Sequence, residues 1–258
     1  MPLKQSRAFV LRTYAVAEAD RVAVLFSGEE GKVRAWARGA RRPKSRYGSA
    51  LDIGNEVEAG WYEREGRELV HLDRCELVTS ALPLARDPVN AAALGYLSRL
   101  VDTFAPDREA DPKLYRLISA CRDALLERRP AEVVVAYFEA WLLRLAGLYP
   151  RPGRCACGAG FEQGGAVFFA AGPVYACTRC APGHGEPTDR LSAGALGLLE
   201  TFWVAPPSAS VPEGSTAREL FRFHGRLTAG FAERALPARH ALEGLLEPRV
   251  SPARDRAQ

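Results

Sequence analysis

The sequence predicts an α+β protein: a small β-barrel, then a helical domain with an inserted four-cysteine element. Three observations predict it. Short strand-like runs separated by glycine-containing turns fill residues 1–80. Helical periodicity takes over at Pro88. Cys155, Cys157, Cys177 and Cys180 then form two close pairs with nineteen residues between them.

The barrel comes first. Residues 8–14 and 22–26 read as strands, and a turn at residues 27–31 leads into a third strand at 32–38. Residues 57–62 and 69–78 flank a further turn at 63–67. Five short strands in so short a stretch fit a closed barrel of the OB type, and an SH3-like barrel reads the same way. Asp87-Pro88 then starts a helix carrying Leu94, Leu97, Leu100 and Val101 at helical spacing. Residues 113–129 form a second helix. Residues 131–148 form the strongest, with Val134, Tyr137, Phe138, Trp141, Leu142 and Leu145 on a broad apolar face. Residues 192–204 and 216–236 read as helices after the cysteines, and the signal fades beyond Pro237. The expected division is residues 1–80, 81–150, 151–187 and 188–240, with 241–258 a loose tail.

The chain has 258 residues, 47% apolar and 26% charged, the balance of a folded protein. It has no apolar run of about eighteen residues and no leader-like start, so a cytoplasmic protein without membrane association is expected. Cys75 and Cys121 stand alone, which suits a reducing compartment better than a disulfide framework.

The cysteine spacing is near that of a structural zinc site, in which two turns present thiolates to one tetrahedral ion. Phe161, Val167, Phe168, Phe169 and Tyr175 suggest a hairpin beside it, too small to fold without the metal. The first pair is one residue short of the usual knuckle, so His184 remains an alternative ligand. A redox dithiol or a metal-free knuckle is the competing reading. Catalytic zinc lacks a neighbouring His-Glu pair to activate water.

The net charge of +4 is unevenly placed. Residues 31–51 contain no acid but carry Lys32, Arg34, Arg38, Arg41, Arg42, Lys44 and Arg46. Residues 52–76 hold eight acids against three arginines. On the third strand Lys32, Arg34, Trp36 and Arg38 share one face by alternation. Cations beside an indole suit single-stranded nucleic acid, where phosphates meet charge and a base stacks. Residues 39–48 extend that face as a flexible basic loop. The plainer alternative is a solvated strand face with Trp36 packed on a neighbour. His71, His224 and His240 are scattered and read as satisfied core or surface residues. Asp20 reads as a solvated strand position. Phosphate-loop, dinucleotide and nucleophile-elbow motifs are absent, so no enzyme is expected.

The run Arg38-Gly39-Ala40-Arg41-Arg42-Pro43-Lys44-Ser45, after a barrel start and before a helical region with a cysteine knuckle, resembles the RecO family of bacterial recombination mediators. The resemblance spans almost the whole chain. It implies an OB-fold domain, a helical domain and one structural Zn2+ held by Cys155, Cys157, Cys177 and Cys180. It implies binding of single- and double-stranded DNA by Lys32, Arg34, Arg38, Arg41, Arg42, Lys44 and Arg46, and strand annealing without nucleotide hydrolysis or a small-molecule substrate. The implied partners are RecR and the C-terminal tail of single-stranded DNA-binding protein, in support of RecA loading at the nucleoid. Arg144 beside Trp141 is the candidate receiver for that acidic tail. Two other classes stay open, a zinc-ribbon module for RNA or a polymerase and a metal-dependent nuclease, as does an adaptor that binds RecR alone.

Overall fold

The computed structural model describes residues 3–63, 66, 68–209, 215–232 and 236–246. Five strands close the barrel: β1 (Leu3–Val16), β2 (Asp20–Ser27), β3 (Gly31–Ala37), β4 (Glu56–Tyr62) and β5 (Leu69–Thr79). The order is β1-β2-β3-β5-β4, with β3 and β5 parallel and the other pairs antiparallel. This closed, OB-like order resolves the choice left open by strand count. The interior is filled by Val10, Leu25, Val33, Val57, Trp61 and Leu72, among others.

Residues between β3 and β4 do not form a flexible loop. They fold as successive turns over the barrel, because Tyr47, Ala50 and Leu51 bury their side chains in its core. Tyr47 donates its hydroxyl hydrogen to the Leu72 carbonyl at 2.8 Å. Basic side chains are thus carried on an anchored segment.

Helices follow as α1 (Pro88–Phe104), α2 (Pro112–Leu126) and α3 (Ala131–Leu145). Asp87 and Asp111 cap the first two by accepting from backbone N–H groups, and a proline opens each. Next come β6 (Ala166–Phe169), β7 (Val174–Ala176) and β8 (Asp189–Leu191), a small sheet ordered β7-β6-β8. The hairpin was expected; β8 was not. Then come α4 (Ala193–Val204), α5 (Thr216–Ala232) and α6 (Pro237–Leu246). α6 stands where the sequence signal fades. The expected loose tail is instead helical over residues 241–246, and from position 247 onward it lies outside the described residues.

One hydrophobic core runs through the helices, the small sheet and the outer face of β1 and β2, where Phe9, Leu11, Val24 and Phe26 point away from the barrel interior. β1 therefore serves two cores by alternation: Val10 faces inward, Phe9 and Leu11 outward. Tyr115 of α2 stacks edge-on against Phe9 at 5.4 Å. Glu56 at the start of β4 accepts from Tyr115 at 2.7 Å and from Arg122 of α2 at 2.9 Å. Burial raises the Glu56 pKa, but these donors outweigh it and leave the carboxyl below its ordinary range.

Candidate functional site

The basic surface is built on β3 and the turns that follow. The outward face of β3 is not uniformly open. Lys32 is buried, donating to the Asp102 carbonyl at 2.7 Å and lying 3.4 Å from Asp107. Arg34 binds Asp107 at 2.8 Å. Lys32 therefore leaves the exposed face on which it was expected, while the Arg34 side chain stays 33% accessible in its pairing with Asp107. The segment leaving α1 meets the first half of β3 at a Lys32–Asp107 bridge; its Asp107 carboxylate pairs with both cations, and Asp102 of α1 lies 3.9 Å from Lys32. Alternation reports the side of a strand, not what crosses it.

Exposure begins with Trp36, which is 42% accessible. Its indole N–H donates to Asp20 at 2.9 Å. The same carboxylate accepts from the Gly39 N–H at 2.7 Å. Asp20 is therefore not a solvated bystander: it fixes the ring and the first turn after β3 together. That Gly39 bond is the main cause holding its pKa below the usual value, with Trp36, Arg38 and Arg42 adding to it. Arg38, Arg41, Arg42, Lys44 and Arg46 are all exposed. Arg46 is oriented by the Tyr47 hydroxyl at 2.9 Å and stacks over that ring. Of the expected set, five cations and an indole are exposed, Arg34 is partly exposed and paired with Asp107, and Lys32 is buried.

The cysteines converge fully. The four sulfurs of Cys155, Cys157, Cys177 and Cys180 all lie within 4.8 Å of one another. Each pair sits on a turn: Gly158 N–H donates to the Cys155 carbonyl at 2.8 Å, and Cys180 N–H to the Cys177 carbonyl at 3.0 Å. Gly158 has φ +84°, a conformation open to glycine, which lets the short first pair close its turn. His184 is not a member of the cluster; its ring lies 5.2 Å from Phe169. The Ala159 N–H, followed by Arg179, draws the Cys157 thiol down to about 6, while neighbouring sulfurs, first Cys157, push Cys180 up to about 12. Four thiols this close cannot all ionise by themselves. A bound cation is what lets all four do so, and a set of four soft donors without an open position fits a structural metal ion.

That element is not separate from the body. Tyr149 stacks on Phe168 and Tyr175 of the small sheet and on His224 of α5. The sequence placed His224 among scattered residues; it is wholly buried, between the Ala136 carbonyl and the Tyr149 hydroxyl, each at 3.0 Å. Arg144 is exposed and lies over Trp203 at 4.9 Å and Trp141 at 5.8 Å, with Val204 exposed nearby in sequence.

Comparison with known proteins fits this arrangement. Residues 1–81 match the family model described as "Recombination protein O N terminal", and residues 85–223 match "Recombination protein O C terminal". The chain belongs to the RecO family. It is 38% identical over 206 residues to the DNA repair protein RecO of Koribacter versatilis, covering 79% of this chain and 82% of that protein. It is 36% identical over 217 residues to that of Anaeromyxobacter sp. strain K, covering 81% and 85% respectively. The RecO relative from Symbiobacterium thermophilum is 36% identical over 206 residues, 78% of this chain and 79% of its own length. The protein is therefore a member of a DNA repair and recombination family, and no helix among its described residues is long and apolar enough to cross a membrane.

Proposed function

We propose that this RecO-family protein binds single- and double-stranded DNA through Arg38, Arg41, Arg42, Lys44 and Arg46, with Trp36 beside them, and anneals complementary strands. Acting with RecR, it helps RecA load on strands coated by single-stranded DNA-binding protein, in the bacterial cytoplasm at the nucleoid. The observation that carries this reading is five exposed cations, with no acid between them in sequence, on turns anchored to an OB-like barrel. Phosphate contacts position a strand without reading its sequence, so the bases stay available to a complementary strand. Annealing needs no bond-making chemistry, and none is assigned to any residue.

One Zn2+ held by the four cysteines is the structural cofactor. Its coordination supplies apparent folding energy of about 10–16 kcal/mol in small domains of this kind. Trp141, Trp203 and Arg144 form an aromatic shelf beside a cation, the chemistry an acidic, aromatic-ended tail requires.

The test is fluorescence-monitored annealing of two complementary strands, each precoated with single-stranded DNA-binding protein, without nucleotide. Acceleration is expected. The triple charge reversal Arg41→Glu, Arg42→Glu and Lys44→Glu should abolish it while circular dichroism stays unchanged. Wild-type acceleration that survives the triple variant would remove the patch from the mechanism.

A further inference from the structure

Two open depressions lie side by side along the β3–β5 seam. Their walls differ in charge. The smaller, about 380 Å³, is lined by Arg38, Gly39, Arg42, Arg46 and His71, with no carboxylate among the described residues that line it. The larger, about 870 Å³, includes Trp36, Leu69, Asp20 and Glu68 in its lining. Arg38 and His71 belong to both and form the shared wall.

Register explains the pairing. Parallel β3 and β5 place Trp36 opposite His71 and Arg34 opposite Leu69. Leu69 is 42% accessible, so it and Trp36 form an exposed apolar pair on a polar surface. Arg42 is set by the turn that Asp20 pins, since its N–H donates to the Gly39 carbonyl at 3.1 Å. The cationic depression is thus held in shape by the barrel itself.

We infer that these depressions form a subsite for one unpaired nucleotide, its phosphate among Arg38, Arg42, Arg46 and His71 and its base against Trp36 and Leu69. The inference rests on the DNA-binding reading and deepens it. Charge sorts the two halves of the nucleotide. Asp20 and Glu68 repel a phosphate from the larger depression, but they accept hydrogen bonds from base amino groups. The guanidinium-lined depression does the reverse. A base within a duplex is stacked and cannot reach Trp36, so only a single strand occupies both halves. His71 becomes a phosphate contact. Arg41 and Lys44 line neither depression and serve the wider backbone track.

The test measures the affinity of the full chain for three probes: a mixed-sequence single strand, the same strand carrying abasic sites throughout, and its duplex. Trp36→Ala should weaken the single strand about tenfold, the low end of one base stack. The abasic strand and the duplex should change less than about twofold, within roughly 0.4 kcal/mol. Trp36→Phe, which keeps a stacking face, should recover most of the loss. His71→Glu should weaken all three probes, because the phosphate is common to them. If Trp36→Ala lowers abasic and normal strands alike, or neither, while wild type binds DNA, the subsite is wrong and the patch reading stands. If wild type binds none of the three probes, both fall.

Discussion

Asp20 is an acid in the middle of a basic surface, and its effect there should have the opposite sign to its charge. Deleting a carboxylate next to Arg38 and Arg42 strengthens phosphate binding if only Coulomb forces act. Asp20→Ala also frees the Trp36 ring and the Gly39 turn that it now holds. Single-strand affinity should therefore fall, and a rise in a filter-binding titration would show that its hydrogen bonds position nothing. His224 carries a second residue-scale expectation. Burial, the largest cause, holds its pKa down to about 3, against an ordinary value of 6.5. The unfolded chain thus takes up a proton that the folded chain refuses. Stability is full above about pH 6.5 and declines as pH falls toward about 3, by up to about 1.4 kcal/mol per pH unit. Thermal melts of wild type and His224→Gln between pH 7 and 5.5 check this; equal slopes would contradict it. Neither residue was legible in the sequence, because one acid beside a strand and one histidine in a helix carry no periodicity of their own.

Strands and long helices were legible because their apolar spacing is also their burial pattern. α6 shows where that equivalence fails. Its buried side chains are Arg239 and Leu242, so the inward face displays a guanidinium rather than an apolar stripe. Arg239 reaches Glu139 of α3 and the Phe221 carbonyl, lies over the Phe221 ring at 3.8 Å, and occupies space left by the missing side chain of Gly225. Glu139 also accepts from the Tyr96 hydroxyl at 2.6 Å. Breaking such a pair leaves a charge buried without its partner. Arg239→Leu should cost about 3–5 kcal/mol in denaturant unfolding, and the double variant Glu139→Leu, Arg239→Leu should recover much of it. A double variant as unstable as the single one would mean that shape, not charge, governs the site. β8 escaped notice because three residues, Asp-Arg-Leu, give no alternation to read. The cysteine element was legible from spacing alone, since ligand geometry demands it. Protein purified without added zinc should hold about one equivalent, and Cys157→Ser should lower both metal content and melting temperature. Less than about half an equivalent in wild type would defeat the assignment.

At the scale of the molecule, the basic surface expected from the sequence is built, but not from every expected residue. Two of the seven expected cations are paired with Asp107, just after α1, leaving five without that partner. A single strand meeting five cations should show a log–log salt slope of about −3.5. A slope close to −5 would return Lys32 and Arg34 to the interface, and one near zero would exclude the patch. The exposed part of this basic surface was legible because charge clusters in sequence. Its neutralised half was not, because Asp102 and Asp107 arrive from a distant part of the chain.

β1 alternates between two hydrophobic cores, and Arg122 reaches across from α2 to Glu56 on the barrel. Names such as barrel and helical body therefore describe shape, not thermodynamic units. Melting either part exposes apolar side chains that the other part was covering. Differential scanning calorimetry should accordingly record one endotherm rather than two separate ones. On that footing a lesion in the small cysteine sheet, far from the basic turns in sequence, lowers the temperature at which those turns keep their fold.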